Sequence, residues 1–245
     1  MVKKLVYSVL CIAALVAAMS FTPPPECGSL TIHFVNRVGD KPLVLDSVLY
    51  KNSLGQSYTV SMFKYYVGNF HLKNKQGKEI VSKGYFLINQ EDEKSMEITL
   101  DSIPFGEYKS IGFTLGVDSI DNSSGAQSGA LDPVKGMFWA WNTGYIFLKM
   151  EGISSASTST GKRLEFHIGG YKAPNNCIRE IELKFKNPLK INEENNSVVK
   201  IKADASHLFS GQNPIDFSKL SSVTDFHNAN HIADNYSDMF SVIEN

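Results

Sequence analysis

Apolar and polar residues alternate with a period of two along most of this chain. Leu30, Ile32 and Phe34 alternate with Thr31, His33 and Val35, which reads as a strand with one apolar face. Residues 39–42 (GDKP) form a turn, residues 43–50 a second strand, and residues 52–55 the next turn. Residues 58–72 are rich in aromatic and β-branched side chains. A strand over 80–88 follows. Met96, Ile98 and Leu100 alternate again, as do Ile111, Phe113, Leu115 and Val117. Leu164, Phe166 and Ile168 repeat the pattern, and the last strands fall at 178–185 and 198–203. Only residues 225–239 break it: with Asp225 as N-cap, no proline, and Ala229 and Ala233 inside, they predict a short helix. Short strands with turn chemistry between them predict an all-β fold, an antiparallel β-sandwich with a short C-terminal helical cap.

One segment organises the rest. Residues 136–152 read GMFWAWNTGYIFLKMEG and hold both tryptophans of the chain, Trp139 and Trp141. On a strand these two share a face. A long polar loop, 118–133, precedes the segment. A low-complexity loop, 152–161 (GISSASTSTG), follows it and reads as flexible.

The first residues are an address. Lys3 and Lys4 precede an apolar run over 5–16, and Ala18-Met19-Ser20 supplies the small residues of a cleavage site. Residues 1–20 are therefore expected to be a signal peptide, too short in the apolar part to span a bilayer. A Pro-rich arm over 21–28 and one β domain over 29–245 complete the organisation. The expected location is exported, periplasmic or extracellular, with no integral membrane segment after cleavage. Cys27 and Cys177 remain after the leader is removed, and in an oxidising compartment they are expected to form one disulfide. A net charge of −1 gives no electrostatic case for nucleic acid or an anionic membrane.

Candidate chemistry is sparse. The sequence has no Gly-rich phosphate loop, no GxSxG elbow and no HExxH, so no enzymatic activity is expected. His167, in Phe166-His167-Ile168-Gly169-Gly170, points away from the apolar set of its strand, and the glycines after it allow close backbone approach. His33 and His71 have similar placements. His227 and His231 are spaced i, i+4 on the expected helix, with Asp234 extending that face. Asp118, Asp121, Asn122 and Asp132 make the long loop oxygen-rich, without EF-hand spacing; turn capping is the simpler role.

Several segments together resemble a known family. They are Lys64-Tyr65-Tyr66-Val67-Gly68-Asn69, Phe113-Thr114-Leu115-Gly116-Val117-Asp118, Gly136-Met137-Phe138-Trp139-Ala140-Trp141, Gly144-Tyr145 through Glu151-Gly152, Phe166-His167-Ile168-Gly169, and Ala233-Asp234-Asn235-Tyr236. In this order they resemble the MbnP-like family, the methanobactin-associated secreted copper-binding proteins. The resemblance implies a β-sandwich holding copper through two histidines and an oxidised tryptophan, kynurenine. It also implies a diheme peroxidase-like partner that performs the oxidation. Carried over, His167 matches the family's histidine, and Trp139 or Trp141 is the candidate for kynurenine. Where relatives often place a histidine after the first strand's phenylalanine, this chain has Asn36, and His33 is the first choice for the second ligand. The expected function is a non-enzymatic, exported copper-binding protein in acquisition, delivery or storage. The alternative is an exported interaction module, for glycan or protein, on the same scaffold without metal.

Overall fold

The computed structural model describes residues 25–139, 144–193 and 197–244. The expected signal peptide, the first half of the Pro-rich arm (21–24) and Trp141 lie outside them. The strands are β1 (Cys27–Val38), β2 (Lys41–Pro42), β3 (Tyr50–Lys51), β4 (Ser57–Asn74), β5 (Glu79–Asn89), β6 (Glu97–Pro104), β7 (Gly106–Leu115), β8 (Phe138–Trp139), β9 (Gly144–Ile153), β10 (Arg163–Gly169), β11 (Arg179–Ile191), β12 (Ser197–Asp204), β13 (Ser222–Val223) and β14 (Phe240–Glu244). The longest helix among the described residues is Ala229–Tyr236.

The strands form a β-sandwich of two sheets. Among the described residues the smaller is five-stranded, β14-β12-β1-β2, with β6 also on β1. The larger is nine-stranded, along β11-β7-β4-β9-β10-β13, with β3 and β5 on β4 and β8 on β9. Lys64 pairs with both Asn89 and Lys149, and Val67 with both Phe86 and Leu115. So β5 takes one edge of β4, while β9 and β7 share the other. Each sheet also contains a parallel pair, β1 with β12 and β10 with β13. The sandwich is therefore mixed and not purely antiparallel as the alternation suggested. A period of two fixes which face is apolar but says nothing about strand direction.

The inner faces meet in an aromatic cluster. Phe34 of β1 and Phe240 of β14 lie edge-on against Tyr65 and Phe113 of the other sheet, with centroids 5.0–6.1 Å apart. That is the favoured range for edge-to-face aromatic pairs. A second cluster, Tyr58, Phe166, Phe209 and Phe217, fills the end of the sandwich. Asn36 enters the core from β1. Its Oδ1 accepts from the Tyr65 hydroxyl at 2.8 Å, and its Nδ2 donates to Gln90 Oε1 at 2.9 Å. Buried polar atoms need such partners.

Three expectations change. The strand expected over 43–50 is mostly turn, because the Tyr50 hydroxyl donates to the Pro42 carbonyl and accepts from the Val44 amide, closing the chain on itself. The loop 152–161 is knotted by its own hydroxyls: buried Ser154 donates to the Ser57 carbonyl at 2.7 Å and buried Ser157 to the Arg163 carbonyl at 2.8 Å. The helix begins after Asn228, and Asp225 instead accepts from the His227 amide in a local turn.

Candidate functional site

The site is built on the outer face of the nine-stranded sheet. Tyr65, Leu148 and Ile168 are cross-strand neighbours on the inner face, against the other sheet. Their chain neighbours Lys64, Lys149 and His167 therefore form a row across β4, β9 and β10 on the opposite, outer face. Glu151, diagonal to His167, completes the group. Its Oε1 lies 2.8 Å from His167 Nε2 and 3.5 Å from Lys149 Nζ.

Burial and charge act against each other here. Burial, the largest influence, pulls the His167 imidazole below its ordinary range; Lys149 adds to this, and the bond to Glu151 opposes it without cancelling it. For Glu151 burial pushes upward, but the His167 bond and the Lys149 ammonium outweigh it and hold the carboxyl below its usual range. The pair at neutral pH is a neutral imidazole on an ionised carboxylate, flanked by a cation.

Trp139 comes next to this group. Its indole packs on Gly169, two residues beyond His167: a Cβ there would sit 2.7 Å from the ring and 2.5 Å from the Tyr145 carbonyl, so only glycine fits. Phe226 closes the other side edge-on, with centroids 5.6 Å apart. Trp139 is buried, which removes it as an open stacking surface for a sugar ring.

The oxygen-rich loop is a cover. Asp118 accepts from the Ile120 and Asp121 amides and from the Tyr85 hydroxyl. Buried Asn122 bridges the Val117 carbonyl and the Tyr145 amide, and Asp132 caps a short turn at Val134. The Tyr145 hydroxyl holds the loop from below through Gly125, Gln127 and Leu131. These oxygens are committed to capping.

The remaining candidates are dispersed. His33 alternates with buried Ile32 and Phe34 and points outward from the five-stranded sheet, 3.5 Å from Glu97. His71 lies flat on Gly112, 3.4 Å from Glu182 and 3.9 Å from Glu79. His227 is exposed, precedes the helix, lies 3.8 Å from Asp225 and lines a small cavity with His231, while Asp234 pairs with Arg179. Among the described residues, no group of three His, Cys, Asp or Glu side chains is arranged to hold a metal ion.

Copper shared by His33 and His167 would need both imidazoles within about 2 Å of one ion. They project outward from opposite sheets, whose layers alone stand about 10 Å apart. The two histidines do not fit one metal. The expected disulfide is also not formed: Cys27 and Cys177 are free thiols. Cys27 lies by the start of β7 and Cys177 by its end, because Cys27 pairs with Pro104, whose carbonyl takes the Tyr108 hydroxyl, and Arg179 pairs with Leu115. The strand between spans about 23 Å, far beyond disulfide reach. Cys177 is buried and donates to Asn230 Oδ1 at 3.4 Å.

Glu151 and Lys149 were not singled out from the sequence. Their signal was there: both alternate with Leu148 and Met150 inside the aromatic segment, so they had to face away from the core.

The architecture is a mixed two-sheet sandwich whose outer face carries an imidazole–carboxylate pair beside a buried indole. A family model described as MbnP matches residues 27–228, and the chain belongs to the MbnP family. Among solved structures, MbnP from Methylosinus trichosporium superposes with a TM-score of 0.57 at 15% identity, covering 89% of this chain and 98% of that one. At that identity the likeness carries the fold alone. No curated protein sequence matches the chain.

Proposed function

We propose that this chain is an exported, non-enzymatic binding module of the MbnP family that does not use a His33–His167 copper site. The observation carrying this reading is the engagement of His167: its Nε2 is 2.8 Å from Glu151, and the Lys149 ammonium neighbours the same carboxylate. Lys149 opposes a metal cation at the imidazole while Glu151 and Glu165 favour one, so the reading rests on the ring's engagement and not on local charge. The other candidate ligand, His33, is on the far side of the sandwich. The leader-like residues 1–20 support export, and the absence of a nucleophile–base motif in the sequence supports a binding role.

The copper reading keeps one specific support, the packing of Trp139 on Gly169 close to His167 along β10. The test is elemental analysis and intact mass of the protein purified after secretion. The proposal expects an N-terminus at Phe21, an unmodified mass and substoichiometric copper. Stoichiometric copper, with the added mass of a tryptophan-to-kynurenine conversion, would overturn it and extend the partner expectation to a diheme peroxidase-like enzyme.

A further inference from the structure

A cavity of about 530 Å³ opens at another end of the molecule, away from the His167 face. Three segments remote in sequence build it: the β1–β2 turn at Gly39–Lys41, residues 49–53, and residues 206–210. Buried polar side chains hold them together. Asp204 Oδ1 accepts from the Gly39 amide at 2.8 Å, the Ser206 amide at 3.1 Å and the Ser206 hydroxyl at 2.7 Å. Asn52 donates to the Ile215 carbonyl and accepts from the Leu54 and Gln56 amides. The Tyr50 hydroxyl fixes Pro42 and Val44. Such fully engaged anchors under a concave surface give a preformed site of a size usual for small ligands.

The lining defines the ligand's chemistry. Lys41 and Lys51 lie on the rim, and among the described residues neither is in an ion pair. Asp40 is the lining carboxylate, and Asp204 behind the wall has Lys202 at 3.5 Å. The cavity therefore carries an excess of positive charge at its mouth. Ser53, Ser206 and Ser210 present hydroxyl oxygens whose lone pairs can accept, while Val38, Leu49 and Tyr50 supply an apolar side.

We infer that this cavity binds a small hydroxylated carboxylate, of the hydroxy-acid or sugar-acid class. The lysines take the carboxylate, the serines take the hydroxyl groups, and Val38 and Leu49 cover the carbon skeleton. This site is independent of the His167 face and of whether copper is bound there.

The test is amide NMR of the full chain titrated with D-glucuronate, D-glucose and acetate at low salt. Glucuronate is expected to shift the amides of Gly39, Lys51 and Ser206 saturably. Glucose, lacking the charge, and acetate, lacking the hydroxyls, are each expected to bind at least about fivefold more weakly. Combined Lys41→Ala and Lys51→Ala changes exposed rim residues and is expected to weaken glucuronate by about fivefold or more at an unchanged melting temperature. No saturable shift with glucuronate, equal response to all three probes, or an unaffected double variant would overturn the inference.

Discussion

His167 Nε2 and Glu151 Oε1 lie 2.8 Å apart, diagonal across β10 and β9 on the outer face of the larger sheet. The contact decides how the one histidine that the resemblance singled out behaves. It gives the imidazole a protein partner and sets it beside Lys149. It also makes the pair sensitive to acid, and the sign can be worked out.

His167 has a folded-state pKa below the ordinary 6.5, chiefly through burial, so folding favours its neutral form. That contribution is complete above about pH 6.5 and is lost as pH falls through the folded value. Glu151 is also lowered despite burial; its contribution is present above the ordinary carboxylate range and lost as pH falls through its folded value. Both act in the same direction, so acidification from pH 7 weakens the fold at this face. Glu151→Gln removes the contact that raises the imidazole, and its NMR titration midpoint is expected to move further down. An upward move would show that the carboxylate does not stabilise the protonated ring.

Gly169 is expected to be intolerant of any side chain. Gly169→Ala drives a methyl into the Trp139 ring and the Tyr145 carbonyl, an overpacking that costs about 1–3 kcal/mol. In a chain of this size the melting temperature should fall by about 2–12 °C. An unchanged melting temperature would mean that the indole does not rest on Gly169.

Asn36 is a core connector. Asn36→Ala leaves the Tyr65 hydroxyl without its acceptor and Gln90 without its donor. A loss of about 1–3 kcal/mol is expected for the orphaned groups, measurable by urea denaturation. Stability within error of the wild type would remove Asn36 from the network.

Most of the strand framework was legible because one apolar face per strand leaves a period of two, as at Ile111, Phe113 and Leu115. The β14 strand was hidden because its five residues follow a helix and alternate too briefly to register. The turn after Pro42 was hidden because a single tyrosine hydroxyl, remote in the alternation pattern, closes it. The site was half legible. Alternation placed His167 and His33 away from the core, which is where they are. It could not say that the two strands belong to different sheets, because that depends on pairings such as β1 with β12, more than 150 residues apart. The same blindness made Cys27 and Cys177 look like partners.

The thiols give a simple check. Cys27 is exposed and Cys177 buried, its thiol pushed up to about 12 by burial. Iodoacetamide at pH 8 is expected to label Cys27 in the native protein and Cys177 only after unfolding, since the thiolate is the nucleophile. Resistance of both cysteines to alkylation in denaturant without reductant would show the disulfide that the structure lacks.

The central claim is that His33 and His167 do not share a metal. The most direct measurement is a copper(I) competition titration against a chromophoric chelator, run on the wild type, His33→Ala and His167→Ala side by side. Three coincident curves, with no stoichiometric high-affinity site, are the expected result. A stoichiometric site in the wild type that is lost in both variants would contradict it.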